Sequence, residues 1–374
     1  MKINELLTVL NDIAPFEMAE SWDNVGLIVG DSNEEVKGIT VTLDVTLEVI
    51  DEVVEQGHNT IIAHHPILFS KRQNITSDYE SQMIKKLIKH DIQLIALHTN
   101  LDKFNQGVSH MMMKQLNIDS TEVLSKETKD YYKLRIFVPN ESVRDVESKL
   151  SSYGIGSQGN YSECFYKLQG EGQFRPTAAA NPHIGKAGEL TTVNEVVIET
   201  MVNDIPKEKI EAIVHEIHPY EEPVFDLYRL NKQEDYGIGI IHEFENAKDI
   251  EEFVQDVKIA FNLPFIDVVA SSNSVKKIAL IGGSGSPYFD VCRQNGVDTL
   301  LTGDIKYHEA QFAEQIGLNV LDIKHYSESF FKGYFKGYLE EQLSQLNESN
   351  QSNHSIEIKE SLINTNPVSY THLT

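Results

Sequence analysis

The segment around which the fold is organised reads IIAHHPILF, residues 61–69. Two adjacent histidines, His64 and His65, end an apolar run, and Pro66 lacks the N–H that a strand ladder needs to continue. In α/β proteins the chemistry usually lies outside the carboxyl ends of the strands. His64 and His65 are therefore candidate metal ligands at the end of a buried strand.

Two further segments carry metal-binding residue types after apolar runs. HTNLD, residues 98–102, follows the apolar run 92–97, and HYSE, residues 325–328, lies near the other end of the chain. His325 and Glu328 are three residues apart, so both side chains lie on one face of a helical turn. We therefore predict one metal site assembled from both ends of the chain.

The predicted metal ligands are His64, His65, Asp102, His325 and Glu328. If one carboxylate and a hydroxide each bridge two metals, the ligands fill about eight positions, which suits two four-coordinate ions of the zinc kind. Nitrogen and oxygen ligands without thiolates also suit manganese or iron. His98 is interpreted as a residue that orients a ligand, because ligating side chains need such partners.

Composition places the chain among globular proteins. The 374 residues include 40% hydrophobic and 24% charged residues, which favours two domains, and no apolar run is long enough to span a bilayer. The formal net charge of -25 disfavours nucleic-acid binding over the general surface. Two cysteines in unrelated contexts and the lack of a secretory signal at the N-terminus predict a reducing, cytoplasmic location.

Strand and helix patterns alternate along residues 1–128 and again along 232–367, which predicts an α/β domain with a mainly parallel sheet. Between them, residues 129–231 follow the order β-α-β then β-α-β, which indicates a small ferredoxin-like α+β insert. The loop-like part of this insert, residues 172–185, could cover a site. A discontinuous domain explains why the predicted ligands come from both ends of the chain.

Four other features leave alternatives open. The turn at 282–285 (GGSG) is either an anion-binding loop or a tight turn that requires positive φ. His308 follows a strand end and is a candidate general acid or substrate contact, against a capping role. Trp22 and Asp23 either line the site or form an aromatic plug with turn residues beneath a loop. The apolar stripe on the last long helix, which includes Phe331 and Phe335, favours core or oligomer packing.

Five motifs together resemble the GTP cyclohydrolase I type 2 homologue family, the dinuclear-metal proteins also called NGG-interacting-factor-like. They are SWDNVGL (21–27), AHHP (63–66), HTNLD (98–102), TGDIKYH (302–308) and HYSE (325–328). The insert carries GNY (159–161), FRP (174–176) and HPYEEP (218–223), which look like the longer bacterial form of the family. The insert of that form is similar to PII or CutA domains.

The resemblance implies a di-metal site at the five predicted ligands and a toroidal homohexamer. The family name implies hydrolytic opening of the imidazole ring of GTP. We therefore expect a hydrolase that uses metal-activated water on a nucleotide or related phosphorylated heterocycle. The alternative is a non-catalytic metal- and ligand-binding regulatory protein in which the PII-like insert senses a small anionic or nucleotide ligand.

The end of the chain departs from the family pattern. Residues 368–374 read VSYTHLT where the family has aromatic and apolar strand residues. We predict that this tail is foreign to the domain, and no site residue is assigned to it.

Overall fold

The computed structural model describes residues 1–68, 72–350 and 356–369. The chain divides into two compact units, a main unit (Met1–Lys126 with Asp235–Thr374) and an inserted unit (Glu127–Glu234). The sequence places the corresponding boundaries at residues 129 and 231. Most of the predicted foreign tail, residues 370–374, lies outside the described residues.

The strands in chain order are β1 (Gly26–Val29), β2 (Ile39–Thr42), β3 (Thr60–Ala63), β4 (Gln93–Ala96), β5 (Val123–Lys126), β6 (Tyr131–Pro139), β7 (Tyr166–Phe174), β8 (Thr191–Asn203), β9 (Phe225–Arg229), β10 (Gly237–Asp249), β11 (Asp267–Val269), β12 (Ser274–Ser284), β13 (Thr299–Gly303), β14 (Asn319–Asp322) and β15 (Ile358–Glu360). The α-helices are α1 (Ile3–Ile13), α2 (Leu47–Gln56), α3 (Tyr79–Lys89), α4 (Thr99–Lys103), α5 (Val108–Met113), α6 (Val143–Ser152), α7 (Lys207–Ile217), α8 (Ile250–Ala260), α9 (Phe289–Gln294), α10 (Tyr307–Gln315) and α11 (Phe331–Asn350).

One sheet of the main unit has the order β1-β4-β3-β2-β15 and is parallel except for the β1–β4 pair. Its strands β2, β3 and β4 are buried along their whole length, as expected when helices cover both faces of a parallel sheet. Helix α2 begins after Thr46, whose side chain accepts a hydrogen bond from the backbone N–H of Val49 and caps the helix.

The second sheet of the main unit has the order β11-β14-β13-β12-β10-β5. The pairs within β14-β13-β12 are parallel, whereas β11, β10 and β5 pair antiparallel. The chain is therefore an α/β protein as predicted, but this sheet is mixed. The sequence patterns missed the antiparallel flanks.

The inserted unit contains the elements β6-α6-β7-β8-α7-β9 in chain order. Its sheet has the order β7-β8-β6-β9, and all its pairs are antiparallel. Strand β7 extends to Phe174, so the expectation of a loop from residue 172 onward is wrong for its first three residues. The core of the unit forms between this sheet and the two helices and includes Leu134, Ile136, Leu150 and Ile213.

Helix α11 supplies two of the largest buried side chains of the main unit. Phe331 and Phe335 are 1% and 0% exposed and belong to one apolar cluster with residues of the first sheet, which confirms their prediction as core. Within the described ranges, every helix is too short or too polar to cross a bilayer.

Candidate metal centre

The structure brings together all five predicted ligands, although nearly the whole sequence separates them. Donor atoms form three overlapping triplets, and the atoms within each triplet lie within 4.8 Å of one another: His64, His65 and His98; His65, His325 and Glu328; His64, Asp102 and Glu328. His98, interpreted from sequence as an orienting residue, is thus as close to the cluster as the predicted ligands. Sets of this kind can hold metal ions.

The first two histidines occupy a strand end. The backbone N–H groups of His64 and His65 donate to the carbonyls of Thr42 and Leu43, at 3.1 and 2.9 Å, and so continue the β3–β2 ladder. Pro66 cannot extend this ladder. The two adjacent rings therefore leave the sheet at its carboxyl edge, with their centroids 5.0 Å apart.

The other end of the chain reaches the cluster through a 3₁₀ turn, His325–Phe330. His325 and Glu328 share one face of this turn, as predicted. The Glu328 side chain is buried against β12, where a Cβ added at Gly282 or Gly283 would lie 2.9 or 3.1 Å from Oε1 of Glu328. A side chain at Gly282 would force the carboxylate to shift, and one at Gly283 would crowd it.

This packing decides between the two interpretations of the GGSG segment. The N–H of Gly282 donates to Ser109 Oγ at 3.3 Å, and the N–H of Gly285 donates to Thr302 Oγ1 at 2.8 Å. Gly283 has a φ of +61°. Residues 282–284 are the end of β12, Gly283 has a backbone conformation that favours glycine, and the N–H groups of Gly282 and Gly285 are already engaged. The structure therefore offers no support for an anion-binding loop.

Each histidine of the cluster is held at its Nδ1 atom. The Nδ1 contacts are His64 with the Leu97 carbonyl (2.8 Å), His65 with Asp44 Oδ1 (2.7 Å), His98 with Asp23 Oδ1 (2.9 Å) and His325 with Asp304 Oδ2 (2.7 Å). A carbonyl only accepts, so Nδ1 of His64 carries the proton and its Nε2 carries the lone pair. A carboxylate or carbonyl behind an imidazole is the usual support for a metal-ligating histidine.

Three buried atoms at the centre lack hydrogen-bond partners: His64 Nε2, Asp102 Oδ1 and Glu328 Oε2. Oε2 of Glu328 lies 3.1 and 3.2 Å from Nε2 of His325 and His65, close enough for an ion pair but without hydrogen-bond geometry. Nε2 of His64 lies 3.5 Å from Oδ1 of Asp102. Converging buried polar atoms without hydrogen bonds are costly, and a cation among them removes that cost. The residues present therefore fit a divalent metal.

The pKa values of the buried ligands follow from burial and from one another. Burial lowers the pKa of His64 to about 3, so this ring is neutral and able to coordinate. Burial and the Glu328 carboxylate raise the pKa of Asp102. Burial would also raise the pKa of Glu328, but His325 and His65 outweigh it and hold the pKa below its usual range.

Metal binding is expected to release protons and to strengthen as pH rises. Contacts with Asp44 and Glu328 outweigh burial and raise the pKa of His65 from 6.5 to about 10, and Glu328 raises that of His325 to about 9. Both rings are therefore charged in the metal-free protein at pH 7.5, and a metal must displace about two protons per chain. Calorimetry in buffers of different ionisation enthalpy measures this number, and heats that do not depend on the buffer would contradict it.

The same shifts set the stability of the metal-free protein. A raised folded-state pKa stabilises the fold fully below about pH 6.5, and this contribution is lost as pH rises through 9 to 10. Metal-free protein is therefore expected to lose stability above neutral pH, and metal-loaded protein to lose less.

The orienting carboxylates were not assigned from sequence. Asp44 follows β2, and Asp304 follows β13, so the available signal was that each stands directly after a strand. Asp23, read as either a turn residue or a site residue, contacts His98 and accepts from the N–H of Thr99 at 3.0 Å. Trp22 is 60% exposed, so its interpretation as a plug beneath a loop is wrong.

His308, the candidate catalytic residue, is exposed on α10 and contacts Gln311 through Nδ1 at 3.0 Å. It belongs to none of the three donor triplets among the described residues. Its neighbour Asp304 instead reaches the cluster, through His325. A catalytic role for His308 stays a prediction.

A cavity of about 610 Å³ opens beside the cluster. Its walls include His65 and His325, four aspartates and one lysine: Asp44, Asp267, Asp304, Asp322 and Lys324. The lysine contacts Asp267 and lies 3.5 Å from Asp322, so its charge is already balanced. Through this cavity a small molecule can reach the ring edges of His65 and His325, two of the candidate metal ligands.

Comparison with known sequences identifies the family of this chain. The profile of the Duf34/NIF3 (NGG1p interacting factor 3) family matches residues 1–367. The curated "GTP cyclohydrolase 1 type 2 homolog" of Staphylococcus aureus strain MSSA476 is 41% identical over 371 residues, which cover 99% of this chain and 100% of that protein. A relative of the same name from Staphylococcus epidermidis is 40% identical over the same share of both chains.

Solved structures agree. The crystal structure of Staphylococcus aureus protein SA1388 matches with a TM-score of 0.75 and 38% identity, covering 99% of both chains. A Bacillus cereus protein related to NIF3 matches with a TM-score of 0.67 and 31% identity, again over 99% of both chains. These matches confirm the resemblance that the five sequence motifs indicated.

Proposed function

The chain belongs to the Duf34/NIF3 family, and from this premise and the geometry of its metal centre we propose that it is a dinuclear metal-dependent hydrolase. The observation that carries the proposal is that three buried atoms able to bind a metal converge without hydrogen-bond partners, on His64, Asp102 and Glu328. His65 and His325 complete the ligand set. Divalent ions held by these residues would lower the pKa of a bound water to near neutrality and polarise a substrate oxygen.

The ligand set favours zinc, and manganese or iron also fit. Imidazole and carboxylate donors without thiolate suit all three metals. Both cysteines of the chain are free and neither belongs to the donor triplets of the described residues. Free cysteines also suit the reducing cytoplasm, where we place the protein.

The substrate class that we propose is a nucleotide or a related phosphorylated heterocycle. The cavity beside the cluster, about 610 Å³, is within the range of about 300–1,000 Å³ that holds small molecules. Its aspartates repel phosphate, so an anionic group would be drawn to the metal-bearing edge formed by His65 and His325. The named relatives are called GTP cyclohydrolase homologs, which makes GTP the first substrate to test.

The test is metal analysis of freshly purified protein, followed by a hydrolase screen with that metal restored. We expect about two ions per chain and turnover of a nucleotide. Turnover should vanish in His64→Ala. His308→Ala tests whether His308 is catalytic or structural: if it is catalytic, the variant should turn over more slowly with its metal content unchanged. Fewer than one ion per chain in the wild type, or equal turnover in His64→Ala, would refute the hydrolase.

The second candidate is a non-catalytic regulatory protein. It is favoured by a cavity in the inserted unit. Among the described residues, that unit supplies none of the candidate metal ligands. Similarity of this insert to PII or CutA domains is part of that proposal. Ligand binding that survives metal removal, with no product formed, would support this second function over the first.

We propose a toroidal homohexamer as the assembly, on the basis of the family resemblance. Sedimentation equilibrium of the intact protein tests it directly. A mass of one 42.3 kDa chain at micromolar concentration would rule the hexamer out.

A further inference from the structure

The inserted unit contains a cavity of about 650 Å³ that the hydrolase does not use. Its walls come entirely from residues between 137 and 224, and its size is that of a small-molecule site. We propose that this cavity binds a small organic cation, a primary or quaternary ammonium. The proposal is independent of catalysis at the metal centre.

Four of the lining residues carry rings: Phe137, Phe174, His183 and Tyr220. The ring centroid of Tyr220 lies 6.2 Å from that of Phe174 and 6.2 Å from that of His183. The faces of phenyl and phenol rings are electronegative and attract ammonium groups within about 6 Å. Several rings around one space are the usual recognition element for alkylated ammonium ligands.

Glu195 is held firmly in the wall. Its Oε1 accepts a hydrogen bond from the Tyr220 hydroxyl at 2.9 Å. Its Oε2 packs over Gly172, where an added Cβ would lie only 2.3 Å away. A carboxylate fixed beside aromatic faces gives a cation both a charge partner and a ring to lie on.

The charges of the wall favour a cation over an anion. The lining residues carry three carboxylates, on Glu195, Glu221 and Glu222, and one guanidinium, on Arg175. Arg175 already donates from Nη1 to the Gly188 carbonyl at 2.6 Å. A phosphate or carboxylate ligand would therefore meet net negative charge and a partly engaged arginine.

The loop between β7 and β8 closes one side of the cavity. Besides the Arg175 contact, the N–H of Gly188 donates to the Pro176 carbonyl at 2.8 Å, so the two ends of the loop are joined. The loop contributes Pro182 and Ile184 to the lining as apolar contacts. This wall suits the alkyl part of an ammonium ligand.

The experiment uses the full-length protein in EDTA, so that the metal centre cannot contribute. Choline and butylammonium are titrated by calorimetry or saturation-transfer NMR, with 3,3-dimethylbutan-1-ol as the neutral isostere of choline. We expect saturable binding of at least one cation and at least about tenfold weaker binding of the isostere.

Variants locate the binding. Glu195→Gln removes the charge and Phe174→Leu removes a ring at similar size, and each is expected to weaken cation binding about tenfold. Glu208→Gln, exposed on α7 outside the cavity, is the matched control and should bind like the wild type. Circular dichroism checks that the variants fold.

Three results would overturn the proposal. They are the absence of saturable binding for both cations, equal binding of choline and its neutral isostere, and wild-type affinity in both folded cavity variants. If neither cation bound but metal-free ATP did bind in the cavity, the site would be an anion site instead. None of these outcomes depends on whether the metal centre hydrolyses a nucleotide.

Discussion

The Glu328→Gln variant is expected to retain fewer than one metal ion per chain, against about two in the wild type. Glu328 belongs to two of the three donor triplets and is one of only two carboxylates among the described triplet residues. The amide that replaces it is uncharged, and its NH₂ group cannot act as a ligand. Loss of a residue that orients a ligand can weaken metal affinity about 100-fold. Loss of a ligand itself should weaken it at least as much.

Metal content after desalting and competition with a chromogenic chelator measure the effect. Glu340→Gln is the matched control, because it is the same change at an exposed position of α11. Asp102→Asn should behave like Glu328→Gln, since Asp102 contributes the other carboxylate. Two tightly bound ions in a folded Glu328→Gln protein would contradict the role of Glu328 as a ligand.

The ligand-bearing strands could be predicted because they are buried on both faces. A buried parallel strand reads as a short apolar run, as in 61–63 and 92–97, and a histidine or carboxylate directly after such a run stands out. His325 and Glu328 could be paired by their three-residue spacing alone. That all these ends meet follows only from the sheet order, which no local pattern encodes.

The strands that the sequence missed lie in antiparallel or exposed positions. Strand β10, Gly237–Asp249, is apolar in its first half but ends in exposed charged residues that do not alternate. Strand β11, Asp267–Val269, is three residues long and largely exposed. Pairing with β12 and β14 determines these strands, so tertiary contacts override a weak local signal.

The orienting residues show the same limit within the site. A lone aspartate after a strand, such as Asp44 or Asp304, is equally typical of a turn. Only the fold shows that each lies 2.7 Å from the Nδ1 atom of a histidine distant in sequence. Residue type and strand ends thus predict which side chains are candidates for a metal, whereas the partners that fix them require coordinates.

Phe335→Ala is expected to lower the free energy of unfolding of the main unit by about 3–5 kcal/mol. Phe335 is 0% exposed, and α11 packs against β2, β15 and α5. Truncation removes a ring from a close-packed region and leaves a cavity that a parallel sheet cannot easily collapse to fill. Urea unfolding in EDTA, followed by circular dichroism, measures the change without a contribution from bound metal.

Ile259→Ala, at a position 79% exposed in the same unit, is the control and should change stability by less than about 0.5 kcal/mol. Phe331→Ala separates packing from function, because the Phe331 ring lies 5.4 Å from the His64 ring and 6.1 Å from that of Phe335. It should therefore destabilise the fold like Phe335→Ala and also weaken metal binding. If Phe331→Ala destabilised the fold but bound metal as tightly as Phe335→Ala, the Leu97 carbonyl alone would be sufficient to position His64.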